Sequence, residues 1–551
     1  MALSKISDFS KDNSLKKIRF LFIILSGVLT GLMLVFTKLG FLEWITMIPV
    51  AAVLLVRASD KSIKLRSLYL DGFVFFYSFY LVCYHWFLYL YPLDFVDGMT
   101  KGGAVAVVLL AWLGLSLLQA LMGGVVFVAA GIVFKSRFFE RFEIFKPFLA
   151  AGLWAVFEWT QTIGWWGVPW GRLPIGQSEY IIGLQTASLF GSYFVTFLLV
   201  SVNFLLAFCL LKLKDVKAAR LGVILACVLL VFQYTSGTAI YFSNNITKGE
   251  KIRVACIQGN IASAEKWNED SMTKTVEVYT KYTVEAAKEG AQLVIWPETA
   301  IPYDISGAFG FYANMFCELA QKNQVYLLVG TYVTDENGNL LNSLVCFTPK
   351  GEQLDTVYSK RHLVPFGEYV PMRPLIETLV PPLAELVLSS DDIYAGKGAQ
   401  IINLENGVAL GGLICFDSIY EGLTLESVRA GAELICLSTN DSWFIDSAAL
   451  NMHNAQAQIR AIESGKYVAR AANTGVSTVI NSRGEVLSEL GALVDGKIVY
   501  DVYANDSSTL WCVIGNAFVY LLILIYAIII GDIITFRILK KRKALDNVKI
   551  L

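Results

Sequence analysis

Histidine is nearly missing from this 551-residue chain, which has only His85, His362 and His453. There is also no CxxC pair among the nine cysteines, so a cysteine–histidine zinc site has almost nothing to be built from, and no metal is expected. Charge is scarce as well: 17% of residues are charged and the net charge is −1. No basic face or aromatic–basic stripe stands out, which argues against a nucleic-acid partner. No internal repeat and no low-complexity tract breaks the chain.

What is abundant is apolar surface. Hydrophobic residues make up 55% of the chain and its mean hydropathy is +0.56, unlike a soluble protein. Runs on the order of 20 residues, enough to span a bilayer, fall at about 18–37, 40–56, 68–91, 104–134, 147–163, 180–211, 219–241 and 510–536. The expected organisation is an N-terminal bundle of seven transmembrane helices (1–245), a domain of mixed composition (250–505), and a closing transmembrane helix with a basic tail (508–551).

Basic residues cluster before the first run, after the second, fourth and sixth, and in the tail at Arg537 and Lys540–Lys543; the opposite loops carry only Lys38, Lys101 and Arg172. The positive-inside rule then puts both termini in the cytoplasm and the large domain outside. The first run ends in Phe36-Thr37-Lys38 without a small-residue cleavage site and reads as a retained helix. Five cysteines fall in the outer domain, so in an oxidising compartment at least one thiol lacks an intrachain partner.

Beyond residue 250 the pattern changes. IRVACIQGN, AQLVIWPET, VYLLVGTYV, NSLVCFTP, GVALGGLICF and AELICLSTN read as buried strands, and about 271–289, 309–322, 421–430 and 447–465 have helical spacing. Alternating strands and helices imply a layered α/β domain with its chemistry at strand ends. Three such ends carry Glu298, Lys360 with Glu368, and Cys415. Singly, each fits a surface charge or a core cysteine; together they form an acyl-transfer set. A carboxylate can take the thiol proton, and an ammonium can stabilise the oxyanion that forms when sulfur attacks a carbonyl.

WPET, SKRHLVPFGEYVP and GLICFD, in that order, resemble the carbon-nitrogen hydrolase (nitrilase) superfamily. Framed by membrane spans and joined by GVPWGRLPIGQ, QGNI, TNDSWF and RAIESGKYVARAANTGVS, they resemble the apolipoprotein N-acyltransferase family across essentially the whole chain. The resemblance implies an αββα sandwich beside a polytopic α-helical membrane bundle of about eight helices, with Glu298 as general base, Lys360 as oxyanion stabiliser, Cys415 as nucleophile and Glu368 in support. It implies a ping-pong transfer in which Cys415 takes an acyl chain from a phospholipid such as phosphatidylethanolamine. The chain then passes to the α-amino group of a diacylglyceryl lipoprotein, with no cofactor and a monomeric enzyme in the bacterial cytoplasmic membrane. Trp267 matches a tryptophan tied to the substrate cavity.

Phe416-Asp417 stand where the family usually has Tyr-Glu, and Ile445 and Met452 where it tends to have Gly and Gln, leaving Trp443 and His453 as candidate substrate-binding residues. Glu158, among Trp154, Trp159 and Trp165, is a candidate for lining a lipid path, whereas Glu43, Asp71 and His85 read as structural groups able to reach an interface. The proline- and leucine-rich stretch after Lys360 (361–400) reads as an arm that dips into the bilayer interface. The alternative with the same three residues is a membrane-tethered amidase using water as acceptor. A ligand-binding transporter fits less well, because the bundle lacks paired Gly/Pro-broken helices.

Overall fold

The computed structural model of the protein describes residues 13–93, 99–262, 266, 269–379 and 393–549. The chain divides into two compact units, one of Met1–His85, Trp112–Thr238 and Ile514–Leu551, the other of Trp86–Ala111 and Ala239–Val513. Trp86 belongs with the second unit through an edge-to-face contact with Phe444, ring centroids 4.9 Å apart.

The first unit is helical. Six helices among the described residues are long and apolar enough to cross a membrane: Lys16–Val35, Thr37–Ser59, Lys101–Val133, Ser192–Leu211, Val216–Ser243 and Ala517–Arg542. The other two expected spans fold as helices Leu65–Cys83 and Lys146–Thr160. The first carries Arg66 and Asp71 in its opening turns. The second has 15 residues, and at about 1.5 Å per residue it falls short of a bilayer core.

The second span breaks at Met47, just before Pro49 in the first turn of Ile48–Ser59. Asn203 closes the gap, accepting from the Met47 N–H (3.0 Å) and donating to the Glu43 carbonyl (2.9 Å). Glu43 and Asp71, read from the sequence as able to reach an interface, are instead buried. Gln177 donates to Glu43 at 2.7 Å and Arg57 to Asp71 at 2.7 Å, which is how a bundle tolerates such groups.

The second unit is the αββα sandwich. Its strands are β1 (Glu250–Gln258), β2 (Leu293–Ile295), β3 (Ile301–Asp304), β4 (Tyr326–Thr334), β5 (Leu340–Phe347), β6 (Tyr358–Ser359), β7 (Ile401–Asn403), β8 (Ala409–Ile414), β9 (Leu434–Thr439), β10 (Tyr467–Ala472), β11 (Ser477–Ile480), β12 (Val486–Leu490) and β13 (Gly496–Ala504). One sheet runs β13-β1-β2-β4-β5-β6 with β3 beside β4; the other runs β12-β11-β10-β9-β8-β7.

Side chains alternate between two cores, as the pleat requires. Ile252, Val254 and Cys256 of β1 meet Leu410, Leu434 and Cys436 between the sheets. Ala255 and Ile257 instead face the layer that holds Tyr279 and Phe316, from helices Glu269–Lys288 and Phe311–Asn323. Helices Glu421–Arg429 and Ala448–Ser464 pack against β8 and β10. With both faces covered, the strands are continuously apolar, which is why their runs read so plainly in the sequence.

Two glycines set the distance between strands and the chain segments that cross them. A Cβ on Gly330 of β4 would lie 2.2 Å from the Pro297 carbonyl oxygen, and one on Gly412 of β8 would lie 2.5 Å from the Tyr358 ring. Gly412→Ala is expected to destabilise the protein by about 1–3 kcal/mol, since the ring has to be pushed aside. A thermal unfolding midpoint equal to that of the parent would contradict this packing.

Candidate active site

Each polar group of the site follows a buried strand. Glu298 comes three residues after β2, Lys360 directly after β6, Cys415 directly after β8, and Asn440 directly after β9. The local backbone is strained: Thr299 has φ +44°, Cys415 φ +48° and Asp441 φ +52°, values that side-chain-bearing residues hold only when their surroundings enforce them.

Lys360 Nζ lies 2.8 Å from Glu298 Oε1 and 3.0 Å from Glu368. Asn342 donates to both carboxylates, at 2.9 Å and 3.2 Å. Glu298 Oε2 accepts the Asn440 N–H at 2.9 Å, and Glu368 Oε2 the Val364 N–H at 2.8 Å. Oε1 of Glu298 therefore holds two donors and Oε2 one, so the open acceptor position is on Oε2.

Burial alone would strip Lys360 of its charge, but Glu298 and Glu368 hold its pKa well above the usual lysine value. Burial pushes Glu298 up, and the Lys360 charge and hydrogen bond outweigh it, leaving the carboxyl below its usual range. Cys415 as a residue is partly exposed. Desolvation, reinforced by the Glu298 charge, raises it well above an ordinary thiol, while Lys360 and a hydrogen bond with Thr439 pull the other way. At rest the proton belongs on sulfur, next to a carboxylate that can receive it.

Asp417 joins two parts of this site. Its buried carboxylate accepts from Tyr358 Oη (2.8 Å) and the Ile414 N–H (3.1 Å) on one oxygen, and from the N–H groups of Arg361 (3.2 Å) and His362 (2.8 Å) on the other. It therefore ties the residues next to Lys360 to the strand end that carries Cys415. Phe416 stands partly exposed beside Tyr420, ring centroids 5.4 Å apart.

A second lysine escaped the sequence reading. Lys266 is 3% exposed, donates to the Glu298 carbonyl at 2.9 Å, and is pushed down to about 7 by burial. Its only sequence signal is its place next to Trp267, which lies outside the described residues, as does 380–392 of the arm. Among the described arm residues, Met372, Leu375 and Tyr394 are exposed.

Trp443 is partly exposed in the turn after β9, and His453 is 1% exposed with both ring nitrogens engaged by protein groups. Glu158 belongs to the other unit, buried and accepting from the Leu173 N–H (3.0 Å) and Thr196 Oγ1 (2.6 Å), so it fixes the segment after Arg172.

The N-terminal domain profile of apolipoprotein N-acyltransferase matches residues 26–205. A Gloeobacter violaceus protein named apolipoprotein N-acyltransferase is 31% identical over 493 residues, 90% of each chain. The chain belongs to the apolipoprotein N-acyltransferase family. A Methylococcus capsulatus protein of the same name is 36% identical over 337 residues, 60% of this chain and 63% of that one. A carbon-nitrogen hydrolase profile matches residues 253–508. Among solved structures, Saccharomyces cerevisiae Nit3 of the nitrilase superfamily is 20% identical, covering 46% of this chain and 90% of that one at a TM-score of 0.35.

Against the residues usual in the apolipoprotein N-acyltransferase family, the departures have local consequences. Ile445, where that family tends to have Gly, still adopts φ +47° and ψ −137°. Ile445→Gly is expected to stabilise the protein by about 1 kcal/mol, because relieved strain of about 1–3 kcal/mol exceeds the entropy glycine loses on folding; an unchanged or lower melting temperature would refute it.

Burial pushes the Asp417 carboxyl up to about 6. As pH falls through that value the carboxylate gains a proton and gives up one of its acceptor positions, so activity is expected to fall on the acid side. Asp417→Asn should remove that acid limb and lower the plateau at least about tenfold, since an amide leaves buried donors unsatisfied. A variant profile with the parent limb intact would separate Asp417 from the site.

Proposed function

We propose that this protein moves an acyl chain from the sn-1 position of a phospholipid, phosphatidylethanolamine foremost, through a Cys415 thioester to the α-amino group of a lipoprotein's N-terminal S-diacylglyceryl cysteine. The observation that carries the reading is Lys360, buried between Glu298 and Glu368 and in electrostatic contact with the partly exposed residue Cys415, in a chain of a family whose named relatives are apolipoprotein N-acyltransferases.

In the first half-reaction Glu298 takes the Cys415 proton as sulfur attacks the ester carbonyl, and Lys360 stabilises the oxyanion. The C–O bond breaks, Glu298 returns the proton to the glycerol oxygen, and lysophospholipid leaves. In the second half the amine attacks the thioester and Glu298 removes its proton. The C–S bond breaks and sulfur recovers the proton as thiol. Every group needed is a side chain, so no cofactor enters. The excess of lysine and arginine on alternate loops supports cytoplasmic termini and an extracytoplasmic catalytic domain in a multi-pass bacterial membrane protein. We assign it as a monomer.

The test is to give the detergent-purified protein phospholipid labelled in its sn-1 acyl chain, without acceptor, and map the adduct by mass spectrometry. A hydroxylamine-labile adduct on Cys415 is expected, absent in Cys415→Ser and slowed at least about 100-fold in Lys360→Met. Free fatty acid released without any amine would instead favour water as the acceptor, and no adduct while the thiol stays reactive would overturn the lipid donor and favour an amidase acting on a small amide.

A further inference from the structure

The nucleophile's backbone conformation has its own support. β8 ends at Ile414, and the chain turns at Cys415, with φ +48°, into the short helix Cys415–Ile419. The Cys415 carbonyl accepts from Ser418 Oγ at 2.8 Å and faces His453 Nε2 at 3.2 Å, while Ser418 Oγ and Nε2 are 2.9 Å apart.

The other ring nitrogen, Nδ1, lies 2.9 Å from Asp441 Oδ1. Asp441 Oδ2 accepts from Arg470 Nη2 at 2.6 Å, Thr439 Oγ1 donates to Asp441 Oδ1 at 2.7 Å, and Arg470 Nη1 donates to the Val476 carbonyl. Arg470 Nη2 also stands 3.2 Å from Nδ1, so the guanidinium and the imidazole share one carboxylate. The Phe444 ring stands edge-on to the imidazole, centroids 6.0 Å apart at 88°.

Ser418, Asp441, His453 and Arg470 are each at most 1% exposed. The ring bridges the Cys415 carbonyl and the Asp441 carboxylate, with Ser418 Oγ and Arg470 Nη2 beside the same two nitrogens. Such a ring has no free nitrogen with which to take the thiol's proton.

We propose that His453 is a positioning residue for the nucleophile: directly and through Ser418 it clamps the Cys415 carbonyl and so fixes the direction of the thiol, with Asp441 and Arg470 holding the ring. This rests on the acyl-enzyme reading of the site. It also gives Asp441, Arg470 and Ser418 a shared purpose that spans four segments of the sandwich: the turn after β8, the turn after β9, the helix Ala448–Ser464, and β10. In the proposed reaction Glu298 is the base, and His453 acts on the backbone of Cys415 instead of on its thiol.

The full-length protein carrying His453→Phe, His453→Gln or Ser418→Ala would be compared with the parent for the rate of Cys415 alkylation by iodoacetamide, read by peptide mapping. The rate of acyl-adduct formation from labelled phospholipid would be followed as well, each per folded molecule as judged by thermal unfolding. His453→Phe, which keeps the ring's bulk and loses both ring nitrogens, is expected to slow acylation about 100-fold with little change in KM, as a misdirected nucleophile would. His453→Gln, able to reach the carbonyl with its amide, should recover most of that loss, and Ser418→Ala should cost about tenfold.

Acylation by folded His453→Phe within about threefold of the parent, or glutamine as damaging as phenylalanine, would overturn the proposal. If His453→Phe does not fold, Ser418→Ala decides: an unchanged rate overturns it. Should the parent itself form no adduct while its thiol alkylates, the acyl-transfer reading fails, and the alkylation rates alone still decide whether His453 directs Cys415.

Discussion

One ammonium, Lys360, buried between two carboxylates, is the interaction the rest of the catalytic unit is arranged to hold. Removing these charges from water costs several kcal/mol apiece, and their attraction repays it only if the remaining hydrogen-bonding positions are filled. Here they are met from three segments, Asn342 on β5, the Asn440 N–H after β9 and the Val364 N–H in the loop after Lys360, with a position left open on Glu298 Oε2, while Lys266 holds the Glu298 backbone carbonyl. Loss of any one loosens a cluster whose members otherwise repel or desolvate each other. The two sheets must therefore stay in register to within a hydrogen bond at this end; Gly412 sets the closeness between them at Tyr358, and Gly330 lets the Pro297–Glu298 backbone lie close on β4.

Asp417 shows how the cluster is tied to Cys415. A carboxylate with four donors is a stiff joint, and here it joins the residues after β6 to the end of β8. Where the family usually carries glutamate, the shorter aspartate makes these contacts with Tyr358, whose ring lies over Gly412. Aspartate, tyrosine and glycine thus depend on one another, and changing one alone strains the other two.

Much of this unit was legible because strands buried on both faces leave continuous apolar runs. All six expected strands and all four expected helices formed, and Glu298, Lys360, Glu368 and Cys415 stood out as polar residues at their ends. The later strands β10 to β13 were less visible, since β12 and β13 are only partly buried and polar residues interrupt β10 and β11. Asn342 carried no signal, Lys266 only its place next to Trp267, and Asp441 and Arg470 lay in the motifs TNDSWF and RAIESGKYVARAANTGVS without standing out there: each looks like an ordinary polar residue, and only folding brings it against a buried charge. In the membrane unit the apolar runs located the helices, but composition alone could not reveal that Glu43 and Asp71 would find Gln177 and Arg57 inside the bundle.

The electrostatics also bear on how a site with the proposed thioester chemistry survives in water. A thiol held as a thiolate would be open to oxidation and to any passing electrophile. Here burial and the Glu298 charge keep the proton on sulfur, while Lys360 keeps Glu298 ionised. The reactive pair is thus assembled but not discharged. In the proposed reaction, proton transfer becomes favourable only when an ester carbonyl beside Lys360 offers a place for the sulfur electrons to go, and that coupling makes the substrate, rather than the solvent, the trigger.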